Sequence, residues 1–342
     1  MKALVYTGPR TIEVRDIAKP QAKGGEVLLK IRYCGVCGTD IGIYGGTHPR
    51  ATAPLTLGHE FVGEDIEGSK RFAAGHRVVA YPLISCGTCY ACRTGQPHVC
   101  GSLHLLGIDR EGGMAEYLAV PEDMLFAVPG EMSDRVAALV EPMAVAQRAV
   151  EQSGLALSDR AAALGAGPIG LLVALAARQA GAAKVIASDI DPFRLSLAAS
   201  FGFVPVDLRN QGLQEQVLAE TAGDAVDVVF ECAGAEPAAR DMTRILRSGG
   251  TICLASLHKA PCPVALLDIA FKELRLIGSR VYTKEQFGRS IPLASALADD
   301  LEKLITRTLP LSAADSAFDF IADPNKNGVK VLIDCMEAQD KG

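Results

Sequence analysis

Four cysteines crowd into one short stretch, Cys86, Cys89, Cys92 and Cys100, with the spacing C-x2-C-x2-C-x7-C. A tetrahedral zinc ion needs four ligands, and thiolates on one tight loop can supply them without help from the rest of the fold. Gly87 and Gly95 let the chain turn between them. Sulfur would fill every corner, leaving none for water or a reactant, so an ion held here supports structure rather than chemistry. An Fe–S cluster or two disulfides would draw on the same residues. The surrounding chain argues for zinc.

A second constellation is Gly165-Ala166-Gly167-Pro168-Ile169-Gly170, a GxGxxG. It lies between an apolar run at 161–164 and a helical stretch from about Pro168 to Ala180, with Gly181 as the stop. Asp189 follows at the end of the next apolar run, 24 residues after Gly165. That context turns a weak motif into a dinucleotide-binding one. Gly165 permits the tight turn, Gly167 leaves room for a pyrophosphate, and Gly170 lets helix and strand pack closely. Pro168 and Ile169 open the helix, whose free N–H groups favour an anion. Asp189 suits the ribose hydroxyls of NAD and repels the 2′-phosphate of NADP, while nearby Arg194 pulls the other way.

These residues need elements to hold them. The first 130 residues read as short strands, among them LLKIRY, EFVGEDIE, HRVVAYP and EYLAVP, broken by glycine, proline and polar residues. From about residue 150 strands and helices alternate, through KVIAS, AVDVVFE, TICLA and LRLIGS. That rhythm predicts a parallel sheet covered on both faces. A helix around 294–306 and a last strand, VKVLID, complete the pattern.

The chain of 342 residues suits two domains. It is 49% hydrophobic, carries a net charge of −6 and shows no basic run, which argues against nucleic acid or an anionic membrane as partner. Residues 161–177 are uncharged but hold three glycines and a proline, and are short for a membrane span. The amino terminus lacks a signal-peptide pattern, so a cytoplasmic location is expected.

Beyond these two sites the chain resembles the medium-chain zinc-dependent alcohol dehydrogenases, nearest to the polyol (sorbitol-type) and threonine dehydrogenase branches. The resemblance runs from end to end. It rests on Cys37-Gly38-Thr39-Asp40, Gly58-His59-Glu60, the four-cysteine lobe, Glu141-Pro142 and the nucleotide motif. It implies an α/β fold in two parts: a GroES-like β-barrel catalytic domain (1–148 and 287–342) and a Rossmann doubly wound parallel-sheet domain (149–286). It implies a catalytic zinc on Cys37, His59 and Glu60, with Glu141 as alternate ligand and Thr39 as proton relay. With the structural ion, zinc would number two per chain.

The implied activity is hydride transfer between NAD and a secondary alcohol, foremost a polyol or sugar alcohol. A threonine-type amino-alcohol dehydrogenase and a catalytically silent NAD-binding protein are the alternatives. Relatives commonly form homodimers or homotetramers.

Two positions depart from relatives. Gly42 stands where many simple alcohol and threonine dehydrogenases carry a relay histidine. Val281-Tyr282 stands where polyol dehydrogenases often show Arg-Tyr, leaving Tyr282 as a candidate substrate contact. Cys34, Cys232, Cys253, Cys262 and Cys335, and His48, His76, His98, His104 and His258, read as ordinary core or surface residues.

Overall fold

The structure, a computed structural model, describes residues 1–323 and 327–336. The chain divides into two compact units. One is formed by residues 1–141 together with the chain from 283 onward, the other by Pro142–Tyr282.

The first unit is built on a seven-stranded sheet. Its central strand, Glu26–Gly35, is rich in Val, Leu and Ile and almost wholly covered. It pairs antiparallel with Glu60–Asp65, placing Gly35 opposite Glu60. Its amino-terminal half also pairs with Tyr117–Pro121. Its carboxy-terminal end pairs with Lys330–Asp334, placing Gly35 opposite Leu332. Residues far apart in sequence thus flank one glycine. A Cβ at Gly35 would strike the Glu60 carboxylate and press on the Lys330 side chain, so a larger residue there would displace that pair.

The second unit is a six-stranded, all-parallel sheet. Its order is Val204–Asp207, Lys184–Asp189, Arg160–Leu164, Val226–Glu231, Leu246–Leu254, Arg275–Gly278. Buried Ala162, Ile186, Val206, Val229 and Ile252 form part of one apolar cluster. The chain runs outward from Arg160–Leu164, then returns to that strand's other side with Val226–Glu231. Strand order therefore reverses between these two, and the carboxy-terminal crevice at such a switch point is where ligands bind.

The tail differs from the sequence expectation of one helix over 294–306. Helices span Lys284–Ala296 and Ala298–Leu304, and Thr306 already lies in a strand, Ile305–Pro310. Thr283 and Gln286 form a capping box that starts the first helix. Its amphipathic pattern continues into the second, which hides the break at Leu297. The strand Val204–Asp207 and the helix Val140–Ser153 were also not anticipated.

Candidate metal and dinucleotide sites

Cys37 is the N-cap of the short helix Gly38–Tyr44, and Asp40 in its first turn accepts a hydrogen bond from Cys37 N at 2.8 Å. This turn fixes the thiol and carries Thr39, whose Oγ1 lies 3.7 Å from Cys37 Sγ. His59 and Glu60 enter from the adjoining strand. Gly58, at φ +99°, passes so close to Cys34 and Met114 that no side chain fits there. One ligand atom from each of Cys37, His59 and Glu60 lies within 4.8 Å of the other two. His59 and Glu60 are buried and Cys37 is half-buried.

The electrostatics of this cluster call for a cation. Burial disfavours a charged His59, yet the Cys37 thiolate and the Asp40 and Glu141 carboxylates together hold its pKa well above the usual 6.5. His59 Nδ1 lies 3.9 Å from Asp40 Oδ1, and both buried atoms lack a hydrogen-bond partner. One thiolate, one imidazole and one carboxylate make a donor set suited to zinc, and the two anions neutralise its charge. The residues therefore fit the ion. Glu141 is buried in the first turn of Val140–Ser153.

Lys330 was not recognised from sequence. It is buried, pairs with Glu60 Oε2 and donates to Val36 O at 3.2 Å. Burial opposes its charge, but Glu60, Cys37 and Glu141 raise its pKa above the ordinary 10.5. Nothing local marks Lys330, because the strand register alone brings it to Glu60. Asp40 lies in the Cys37-Gly38-Thr39-Asp40 motif, and only the fold shows its contacts with the Cys37 backbone and His59.

The four-cysteine cluster is equally compact. Sulfur–sulfur distances are 3.5 Å for Cys86–Cys100, 3.5 Å for Cys89–Cys92, 3.8 Å for Cys89–Cys100 and 3.9 Å for Cys86–Cys92. Tetrahedral ligands at about 2.3 Å from zinc stand about 3.8 Å apart. The sulfurs are too far apart for disulfides, whose S–S bond is about 2.05 Å. Backbone N–H groups point at them: Cys89 N reaches Cys86 Sγ at 3.3 Å and Cys86 N reaches Cys100 Sγ at 3.4 Å. Hydrogen bonds from Thr88 and Cys89 take the Cys86 thiol down to about 5. Cys89 is lowered as well, by hydrogen bonds from the backbone of Cys92 and Gly101, whereas burial and the neighbouring thiols push Cys92 up to about 11. The lobe thus favours thiolates at Cys86 and Cys89 and gathers four sulfurs that a cation would draw into one charge state.

In the second unit the helix Pro168–Gln179 begins at Gly167 with Pro168 in its first turn, followed by Ile169. Gly165 has φ +97°, a left-handed value that favours glycine. A Cβ on Gly170 would strike the Gly165 carbonyl. A Cβ on Gly167 would meet only Arg194, 3.8 Å away, so the turn opens onto free space. That space belongs to a cavity of about 480 Å³ whose lining includes Gly165, Gly167, Asp189, Arg194 and Ala233.

Asp189 is buried and tied to the backbone. Oδ2 accepts from Ala166 N at 2.7 Å, and Oδ1 accepts from Ile190 N at 2.7 Å and Asp191 N at 3.0 Å. Arg194 stands 3.9 Å from Asp189 and 3.4 Å from Asp191. Glycine cradle, helix terminus and acid together fit a dinucleotide. Tyr282 is fully buried at the end of this unit.

A sheet of this GroES-like form with a thiol–imidazole–carboxylate cluster, joined to a Rossmann-like unit, defines the class of zinc-binding dehydrogenases. Residues 23–130 match the model of the alcohol dehydrogenase GroES-like domain, and residues 168–296 that of zinc-binding dehydrogenase. The 2-dehydro-3-deoxy-L-galactonate 5-dehydrogenase of Pseudoalteromonas atlantica is 36% identical over 99% of this chain and 100% of its own. The sorbitol dehydrogenase of Halalkalibacterium halodurans is 33% identical over 97% and 99%. A protein of Sinorhizobium meliloti 1021, provisionally assigned as a zinc-binding dehydrogenase and solved with NADP, superposes with a TM-score of 0.91 at 34% identity, covering 97% of this chain and 98% of that one. The chain belongs to the medium-chain zinc-dependent alcohol dehydrogenase family. It is a zinc-dependent oxidoreductase acting on CH–OH groups with a nicotinamide dinucleotide. Among the described residues no helix is long and apolar enough to cross a membrane.

Proposed function

We propose that the protein oxidises a secondary alcohol of a polyol or sugar acid to the ketone, with NAD as acceptor and two zinc ions per chain. The observation that carries this is the buried meeting of Cys37, His59 and Glu60, with Thr39 and Glu141 beside it. Cys37, His59 and Glu60 hold the catalytic zinc, and Glu141 is the alternate ligand. Cys86, Cys89, Cys92 and Cys100 hold the structural one. Zinc in such a site supplies Lewis acidity, strong enough to take the pKa of water from about 15.7 to about 7. The dinucleotide supplies the hydride acceptor.

The chain's own residues do the rest. Asp40 anchors the Cys37 turn through its backbone hydrogen bond. Thr39 Oγ1, half-exposed beside the thiolate, takes the alcohol proton and passes it outward. Lys330 keeps Glu60 from sitting uncompensated in the core. Carboxylates at Glu60 and Glu141 make the pocket polar, which suits a polyhydroxylated substrate. The two relatives named for a sugar acid and for sorbitol support this reading.

NAD is favoured because one cation, Arg194, faces two carboxylates, Asp189 and Asp191. A 2′-phosphate would meet net negative charge. Asp189→Ser leaves Arg194 facing one carboxylate and should shift the NAD/NADP ratio of kcat/KM toward NADP by about tenfold or more.

The deciding experiment follows reduced-cofactor formation over polyols, sugar acids, L-threonine and simple secondary alcohols with the zinc-loaded enzyme. Turnover concentrated on polyols or sugar acids supports the proposal. A clear preference for L-threonine, or no turnover in either direction, overturns it. Cys37→Ser should cost about 10³-fold or more in kcat/KM.

A further inference from the structure

A further array of ionisable side chains sits within the dinucleotide-binding unit. Glu231 ends the strand Val226–Glu231 and is fully buried. Its Oε1 accepts from Ala233 N at 3.0 Å and Gly234 N at 2.9 Å. Its Oε2 accepts from Ser256 Oγ and faces His258 Nε2 at 2.9 Å. The other imidazole nitrogen, Nδ1, stands 3.5 Å from Cys262 Sγ. From sequence, His258 and Cys262 read as ordinary residues. The fold makes them neighbours of a buried carboxylate.

A carboxylate can only accept, so the hydrogen of a neutral His258 belongs on Nε2. Nδ1 is then a lone pair aimed at the thiol. A thiol, an imidazole and a carboxylate in this sequence are the arrangement that activates a sulfur nucleophile. Pro261 and Pro263 flank Cys262 and restrict its backbone, so the half-buried thiol is presented by a stiff segment.

We propose that Cys262 is a modifiable thiol that reacts with low-molecular-weight disulfides, with His258 as its base. Cys262 Sγ attacks one sulfur of R–S–S–R and its proton passes to His258 Nδ1. A Cys262–S–S–R bond forms as the original S–S bond breaks. The second R–S group leaves with the electron pair and takes up the proton. Cys262 is oxidised and one R–S reduced, so no further oxidant is needed.

The modification should also reach the cofactor. Ala233, held by Glu231, lines the cavity that accepts the dinucleotide. A group on Cys262 competes with the imidazole for its place, and Glu231 then loses a partner. Dinucleotide affinity should fall. This second effect rests on the dinucleotide reading of the cavity; the thiol's reactivity does not.

The test uses the zinc-loaded enzyme, in which metal protects Cys37, Cys86, Cys89, Cys92 and Cys100, and treats it with glutathione disulfide or 5,5′-dithiobis(2-nitrobenzoate). Site-resolved peptide mass spectrometry reads the rate at Cys262. Rapid modification that slows about tenfold or more in His258→Asn and in the isosteric Glu231→Gln is expected. An equal rate in all three, or a wild-type rate no faster than that of an unstructured cysteine peptide, overturns the proposal. NADH titration before and after treatment, with Cys262→Ser as control, should show about tenfold weaker binding in the modified wild type alone. Unchanged affinity overturns the coupling. Failure of untreated enzyme to bind NADH overturns the dinucleotide reading, and the labelling rates still decide the role of Cys262.

Discussion

Asp40 offers the metal no ligand atom, yet it does two jobs. One oxygen ties down the Cys37 backbone, and the other faces His59 Nδ1 from 3.9 Å. With a cation on the other ring nitrogen, that carboxylate would fix the tautomer and orientation of the imidazole. Asp40→Asn should therefore weaken zinc binding at this site about 10–100-fold, read by chelator competition, while the four-cysteine lobe keeps its ion. The four clustered cysteines were legible because short spacings carry them, whereas Cys37 and His59 rest on the family resemblance, and the fold brings them together. Lys330 was not legible, since its pairing with Glu60 spans 270 positions. Gly42 departs from relatives as read, and a Cβ there would meet only Thr47 Oγ1, at 3.7 Å. Glycine offers no side chain to accept a proton, so the relay proposed for Thr39 would need another exit.

At the level of elements, the parallel sheet is stapled at its amino-terminal end by one carboxylate. Asp227, in Val226–Glu231, accepts from Arg160 N at 2.7 Å and pairs with the Arg160 and Arg247 side chains of the two flanking strands. Burial pushes its pKa up, but the hydrogen bonds from Arg247 and Arg160 prevail and the net shift is down from 3.8. A depressed folded-state value contributes stability that is present above the unfolded pKa and is lost as pH falls through the folded one. Asp227→Asn should cost about 1–2 kcal/mol at neutral pH, the exposed Arg247 discounting the figure. Urea melts of variant and parent should converge as pH falls from 3.8 through the depressed folded-state value; a gap that does not narrow on acidification would contradict the staple. The motif strands were legible because apolar runs between turn residues announce them. Val204–Asp207 was not, because PVD carries little strand propensity and the sheet register imposes its conformation.

For the whole molecule, two separate sulfur-bearing clusters predict how metal content responds to mutation. Zinc measured by plasma mass spectrometry should be two per chain in the parent. It should fall to one in Cys89→Ser and to one in Cys37→Ser. Activity should vanish in the second. In the first, thermal stability should drop more, since a closed four-cysteine site contributes folding energy directly. Loss of both ions from either single variant would refute their independence. The two-part architecture was legible in the change of rhythm near residue 150. The return of the tail was carried by resemblance, because strand pairing over such separations leaves no local trace.

Translation adds a further constraint. The carboxylate of Glu60 emerges from the ribosome early, and the lysine that neutralises it follows 270 residues later, after the entire contiguous unit 142–282. At about 5–20 residues per second that delay is roughly 14–54 s. During it, the strand Glu26–Gly35 lacks the neighbour that covers its carboxy-terminal end. The nascent protein thus carries a foldable nucleotide-binding module beside an unfinished sheet with an open edge, a template for wrong partners. Slow synthesis through the middle of this message would lengthen that exposure, and folding yield should depend on the decoding speed of codons 142–330 more than on that of the codons before them.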